Sequence, residues 1–115
     1  MLIINEVKVG YHLVININNV NDLLINNNKQ LIKIFEELIL MSGLNVLNQC
    51  HHEFKPYGLT GLYLLSESHL SYHTWPEYNK ICLDLFTCGD NIKYENVKNY
   101  LSQFFSDINI FEIDR

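Results

Sequence analysis

The stretch LLSESHLSYHTWPEYN, residues 64–79, gathers Glu67, Ser68, His69, His73, Glu77 and the only tryptophan, Trp75, into sixteen positions. Serine beside histidine suggests acyl transfer, in which an imidazole relieves the hydroxyl of its proton. The neighbours argue against a hydrolase. A nucleophile elbow needs small residues beside the serine, whereas Ser68 stands between Glu67 and His69. A zinc site fares no better: His69 and His73 have the i, i+4 spacing of a helical pair, but SYHTWP is a poor helix and no HExxH pattern exists. His51 and His52 are adjacent and so face opposite sides of a strand, which suits one metal badly. No metal is expected.

The elements around this stretch can be read from periodicity. YHLVINI (11–17) alternates and is rich in β-branched residues, as a strand should be, and VNDLLINNN (20–28) reads as a turn or short helix. From about Asn28, Leu31, Phe35, Leu38 and Met41 recur at helical spacing until Gly43 stops the helix. Further strands are expected at 45–54, 59–66, 80–88 and 108–113. A second helix over NIKYENVKNYLSQFF is capped by Asp90 and buries Tyr94, Val97, Leu101 and Phe104. The order β-α-β-β-β-α-β, with short connections, predicts an α+β fold: a two-layer α/β sandwich with an antiparallel sheet and two main helices on one face. The other face must then be polar or be buried against a second copy.

Composition narrows the function classes. At 115 residues, with 48% hydrophobic and 18% charged residues, the chain reads as one globular domain spanning 1–115. A net charge of −5, with scattered lysines and one arginine, argues against a nucleic-acid partner. The N-terminus lacks the basic region and cleavage site of a signal peptide, and no apolar run approaches the roughly 18 residues of a membrane span. Cys50, Cys82 and Cys88 form no CxxC pair and are odd in number, which fits free thiols in a reducing cytoplasm.

Residues 54–90, FKPYGLTGLYLLSESHLSYHTWPEYNKICLDLFTCGD, carry four linked motifs in order. These are P-x-G-hydrophobic-[Ser/Thr]-G, then S-E-S-H-L-S, then H-T-W-P-E, then D-hydrophobic-F-T-C-G. The run resembles the core signature of the bacterial and archaeal S-adenosylmethionine decarboxylase proenzyme family, and VGYHLVINI resembles that family's opening strand. The resemblance implies pyruvoyl chemistry, with self-cleavage between Glu67 and Ser68. The Ser68 hydroxyl would attack the Glu67 carbonyl to give an ester. Elimination and hydrolysis would then leave a β chain, 1–67, and an α chain, 68–115, that begins with a pyruvoyl group. That carbonyl would form a Schiff base with the substrate amine and accept electrons from decarboxylation.

Other roles come with the same resemblance. His73 matches the base of the processing step, a task suited to imidazole at neutral pH. Thr60 matches a hydroxyl that stabilises the processing oxyanion. Cys88 matches the acid that returns a proton to the substrate carbon, since a thiol is mostly protonated at neutral pH. Glu77 matches a ribose-binding carboxylate and Phe54 an aromatic that stacks on adenine. The implied partner is a second αβ unit, because sites in this family lie at a dimer interface. His69 is expected to be structural, near the cleavage turn. Cys50, Cys82, His12, His51 and His52 fall to packing or surface, and Trp75 and Tyr78 to interface walls.

Two other functions compete with decarboxylation of S-adenosylmethionine for spermidine synthesis. One is a pyruvoyl-dependent decarboxylase of the same family that acts on ornithine or arginine. The other is an uncleaved regulatory homologue, against which the joint presence of Thr60, Ser68, His73 and Cys88 speaks.

Overall fold

The computed structural model describes residues 7–88 and 94–115. Six strands form one antiparallel sheet: β1 (Tyr11–Asn18), β2 (Val46–Glu53), β3 (Leu59–Leu65), β4 (Ser68–Trp75), β5 (Lys80–Thr87) and β6 (Asp107–Asp114). Their order across the sheet is β2-β3-β4-β5-β1-β6. The helices are α1 (Asp22–Ile25), α2 (Asn28–Met41) and α3 (Tyr94–Leu101), and a 3-10 turn spans Pro76–Tyr78. The expected two-layer α+β architecture is met. Asp90, expected as a helix cap, and Gly89 lie outside the described residues.

The strand count differs from expectation. Ser68–Trp75, read from sequence only for its polar groups, is β4, and it stands between β3 and β5. Its buried positions alternate as Ser68, Leu70, Tyr72 and Thr74, so only two of four are apolar. That weak pattern hides a strand whose backbone is paired along nearly its whole length on both sides.

Leu13, Ile15 and Ile17 from β1, Leu83 and Leu85 from β5, and Leu70 and Tyr72 from β4 point to one side of the sheet. There they meet Leu31, Phe35 and Leu38 of α2 and Val97 and Leu101 of α3. Apolar burial of this kind, at about 25 cal/mol per Å², drives the collapse of the layer. The side chains of α2 recur on one face because it obeys the 3.6-residue period, and Asn27 caps it by accepting from the Gln30 N–H. Tyr72 stacks at a tilt on Phe35, with ring centroids 4.6 Å apart. Gly61 leaves room for this ring; a Cβ at position 61 would overlap it.

The opposite side of the sheet carries no helix among the described residues. Leu62, Leu64, Phe111 and Ile113 on it are about half exposed, and Trp75 is nearly so. Leu62 and Leu64 stand on β3 and Phe111 and Ile113 on the edge strand β6, with β4, β5 and β1 between them, so they form two separate apolar patches.

Candidate active site

Strands β3 and β4 are joined by a two-residue turn, Ser66-Glu67, closed by the pair Leu65 and Ser68. Glu67 adopts φ +57°, the left-handed region that such a turn normally gives to glycine or asparagine. For a glutamate this conformation costs about 1–3 kcal/mol, and such strain gathers at functional sites. Ser68, next in the chain, is buried on the helix-covered side.

Strand β5 runs beside β4, and its register carries Cys88 to the tip of this turn. The Cys88 thiol donates to the Glu67 carbonyl oxygen at 2.8 Å. Gly10, at the entry to β1, allows the close approach that holds the end of β5 in place. A Cβ there would overlap the Thr87 carbonyl, one residue before Cys88. The backbone before β1 is tied to the C-terminus in turn: Val9 N–H donates to Arg115 O at 2.7 Å, and Arg115 N–H to Gly10 O at 2.8 Å.

A second cluster lies toward the other end of the same strands. Thr60 and His73 are cross-strand partners on the bare side, and Thr60 Oγ1 is hydrogen-bonded to His73 Nδ1 at 2.9 Å. Phe54 follows β2 in the turn that leads to β3, half exposed, with its ring 4.5 Å from that of His52. Gly58, at φ +109°, bends this turn, and its carbonyl accepts from Phe54 N–H at 2.8 Å. Glu77 is exposed in the 3-10 turn after β4. Thr74 Oγ1 accepts from Leu59 N–H at 2.9 Å and ties the two turns together.

The sequence-derived residues therefore divide into two groups. Glu67, Ser68 and Cys88 sit at one end of the hairpin. Thr60, His73, Phe54 and Glu77 sit toward the other, and the chain does not bring the two together. Five residues of strand separate Ser68 from His73, about 16 Å at 3.3 Å per residue, and an odd step places them on opposite faces.

Two residues assigned to structural or packing roles from the sequence lie at the end of the sheet that carries the Ser66-Glu67 turn. His69 stacks on Phe86, and His12 pairs with Asp84 at 3.1 Å. The parity of CLDLFTC holds the only sequence signal: Cys82, Asp84, Phe86 and Cys88 share a strand face. Cys82 lies directly opposite His73 on that face. His51 and His52 do point to opposite sides: His51 Nδ1 is 2.9 Å from the Tyr72 hydroxyl, on the covered side. Burial pushes the Tyr63 and Tyr72 phenols up, Tyr63 further through the neighbouring Tyr72 and Glu36, and Tyr72 through Glu36. Among the described residues, no group of three or more His, Cys, Asp or Glu could hold a metal ion, and no helix is long and apolar enough to cross a membrane.

The crystal structure of the adenosylmethionine decarboxylase from Aquifex aeolicus superposes with a TM-score of 0.81 at 27% identity, covering 94% of this chain and 91% of that one. This defines the class, an α+β decarboxylase domain. Residues 11–115 match the S-adenosylmethionine decarboxylase family. Relatives named S-adenosylmethionine decarboxylase proenzyme include that of Archaeoglobus fulgidus, 39% identical over 97 residues, 84% of this chain and 87% of the relative. That of Thermosipho melanesiensis is 32% identical over 107 residues, 93% of this chain and 82% of the relative. The chain belongs to the S-adenosylmethionine decarboxylase family, whose members are pyruvoyl-dependent lyases of polyamine synthesis.

Proposed function

We propose that this chain is a self-processing, pyruvoyl-dependent decarboxylase of S-adenosylmethionine, acting in the cytoplasm to supply spermidine synthesis. The observation that carries the reading is the Cys88 thiol on the Glu67 carbonyl oxygen at 2.8 Å. Attack by Ser68 Oγ on that carbonyl carbon turns its oxygen into an oxyanion, and a donor already in place stabilises charge as it develops. The left-handed Glu67 strains the same link. The products are a β chain, 1–67, and an α chain, 68–115.

The residues fit a pyruvoyl group formed at position 68. Ser68 is buried at the start of β4, with the thiol of Cys88 beside the preceding carbonyl. When formed, that group supplies a carbonyl that binds the substrate amine and draws electrons from the breaking carbon–carbon bond. Cys88 stays at this end of the sheet and donates the proton that completes turnover.

The base comes from a second copy. Within one chain His73 cannot reach the Ser68 α-proton, because about 16 Å of extended strand separates them. Two chains laid bare face to bare face, running in opposite senses, place Thr60 and His73 of each over the Glu67–Ser68 turn of the other. The half-exposed Leu62, Leu64, Phe111 and Ile113 support this contact. Phe54 and Glu77 travel with His73, and so meet the adenosine of a substrate bound at the other copy's position 68. A homodimer of αβ units with two composite sites follows. Release of CO₂ from S-adenosylmethionine, but not from ornithine or arginine, checks the substrate.

Intact mass of the purified chain tests the processing step. Two fragments dividing at 67/68, the larger-numbered one blocked at its N-terminus and reactive toward a carbonyl reagent, are expected. A single uncut chain after long incubation would refute the proposal.

A further inference from the structure

Regular pairing of β4 with β5 begins at His69 and Phe86, one step inside the cleavage turn. The Cys88–Glu67 hydrogen bond lies just beyond that rung. A hairpin tip held only through its own two strands is free to twist, and strand ends are where local opening is easiest. Some lateral restraint must therefore keep the thiol on the carbonyl oxygen, because a hydrogen bond weakens steeply with misalignment.

The rung itself is closed by rings. His69 and Phe86 stack on the bare side with centroids 5.7 Å apart and planes 25° from parallel. On the far side of Phe86 its register partner in β1 is His12. The His12 ring meets His69 and Phe86 edge-on, at 6.4 and 6.5 Å. Asp84, two residues before Phe86 on the same face, holds His12 through Nε2 at 3.1 Å. A three-strand row of rings thus ends at the residue that directly follows Ser68. Ring pairs have preferred geometries, so such a row fixes orientation as well as burying area.

We propose that His69 is a positioning residue for self-cleavage: its stack on Phe86, backed by His12 and Asp84, fixes the tip of the β3–β4 hairpin against the end of β5 and sets the Cys88–Glu67 contact. The proposal rests on the self-processing reading above. It assigns His69 no proton transfer. Its ring acts by shape, and any planar ring of similar size at position 69 should serve.

The test follows cleavage of freshly made precursor over time by intact mass, with thermal melting measured on the same samples. His69→Ala should slow cleavage about tenfold while the melting temperature stays near that of the wild type. His69→Phe, which keeps the stack, should recover most of the rate. Phe86→Leu should slow cleavage as His69→Ala does, and the double variant should be no slower than either alone, because both break one contact. If His69→Ala fails to fold, Phe86→Leu carries the comparison with the wild type. Wild-type cleavage by His69→Ala, equal slowing in His69→Phe, or multiplying defects in the double variant would each overturn the proposal. A wild-type chain that never cleaves overturns the self-processing reading and this proposal with it. Cleavage in the wild type with no defect in His69→Ala overturns this proposal alone.

Discussion

The two faces of strand β4 differ in what they are for. On the covered side, Leu70 and Tyr72 are sealed beneath α2, and the Tyr72 hydroxyl is satisfied by His51. On the bare side, His69, Ser71, His73 and Trp75 remain open, and His73 has a fixed partner in Thr60. The same eight residues pack the core on one side and leave polar side chains open on the other, because a strand sends alternate side chains to opposite faces. Ser68 crosses this division. It belongs by parity to the covered face, yet the carbonyl before it is met by a thiol from the bare-face row of β5.

Substitutions can break that contrast at its strongest point first. Ser68→Ala should abolish both cleavage and decarboxylation while the fold persists, as read by intact mass and CO₂ release. Cys88→Ala should still cleave but more slowly, and should lose turnover by about a hundredfold or more, the scale for a preorganised donor or a positioned acid. Full turnover in Cys88→Ala would remove the thiol from its role.

The sharpest comparison uses neighbours. Thr60 and Gly61 are adjacent on β3 and face opposite sides. Thr60→Val should leave stability almost unchanged and slow cleavage about tenfold, through loss of the hydrogen bond that orients His73. Gly61→Ala should do the reverse and cost about 1–3 kcal/mol in urea unfolding, because its methyl group overlaps the Tyr72 ring.

Most of the fold is legible in the sequence because β1, α2, β3 and β5 each bury a full apolar face with the expected period. Strand β4 is the instructive exception. Two of its four inward residues are polar, so periodicity falls silent there. Without that strand, Ser68 and His73 look like neighbours in a loop. With it, an odd spacing of five sends their side chains to opposite faces and far ends of β4. The Cys88–Glu67 contact joins residues 21 apart and depends on β4–β5 register, which no local pattern encodes. What the linked motifs do carry is the family, which residues 11–115 match.

The smallest expected effect belongs to the covered face alone. Tyr100 is pushed up to about 12 by burial and by the charge of Glu37. A phenol whose folded pKa lies above the unfolded value of 10.0 keeps its proton longer in the native state. Stability is then full below about pH 10 and declines as pH rises toward 12. Burial moves Tyr63 and Tyr72 in the same direction, so all three phenols contribute. Melting temperature against pH from 8 to 11, compared with Tyr100→Phe, should show a shallower decline in the variant.

The central claim is that each Glu67–Ser68 bond is processed with groups from two chains. It is tested most directly by co-expressing Ser68→Ala with His73→Ala under different tags. Alone, the first cannot cleave for want of the hydroxyl, and the second lacks its base. In the mixed dimer, the His73→Ala chain keeps Ser68 and faces the intact His73 of its partner. The account predicts that the His73→Ala chain, and only that chain, is cut at 67/68 in the mixture. A mixture in which mixed dimers form and both chains remain whole would contradict it.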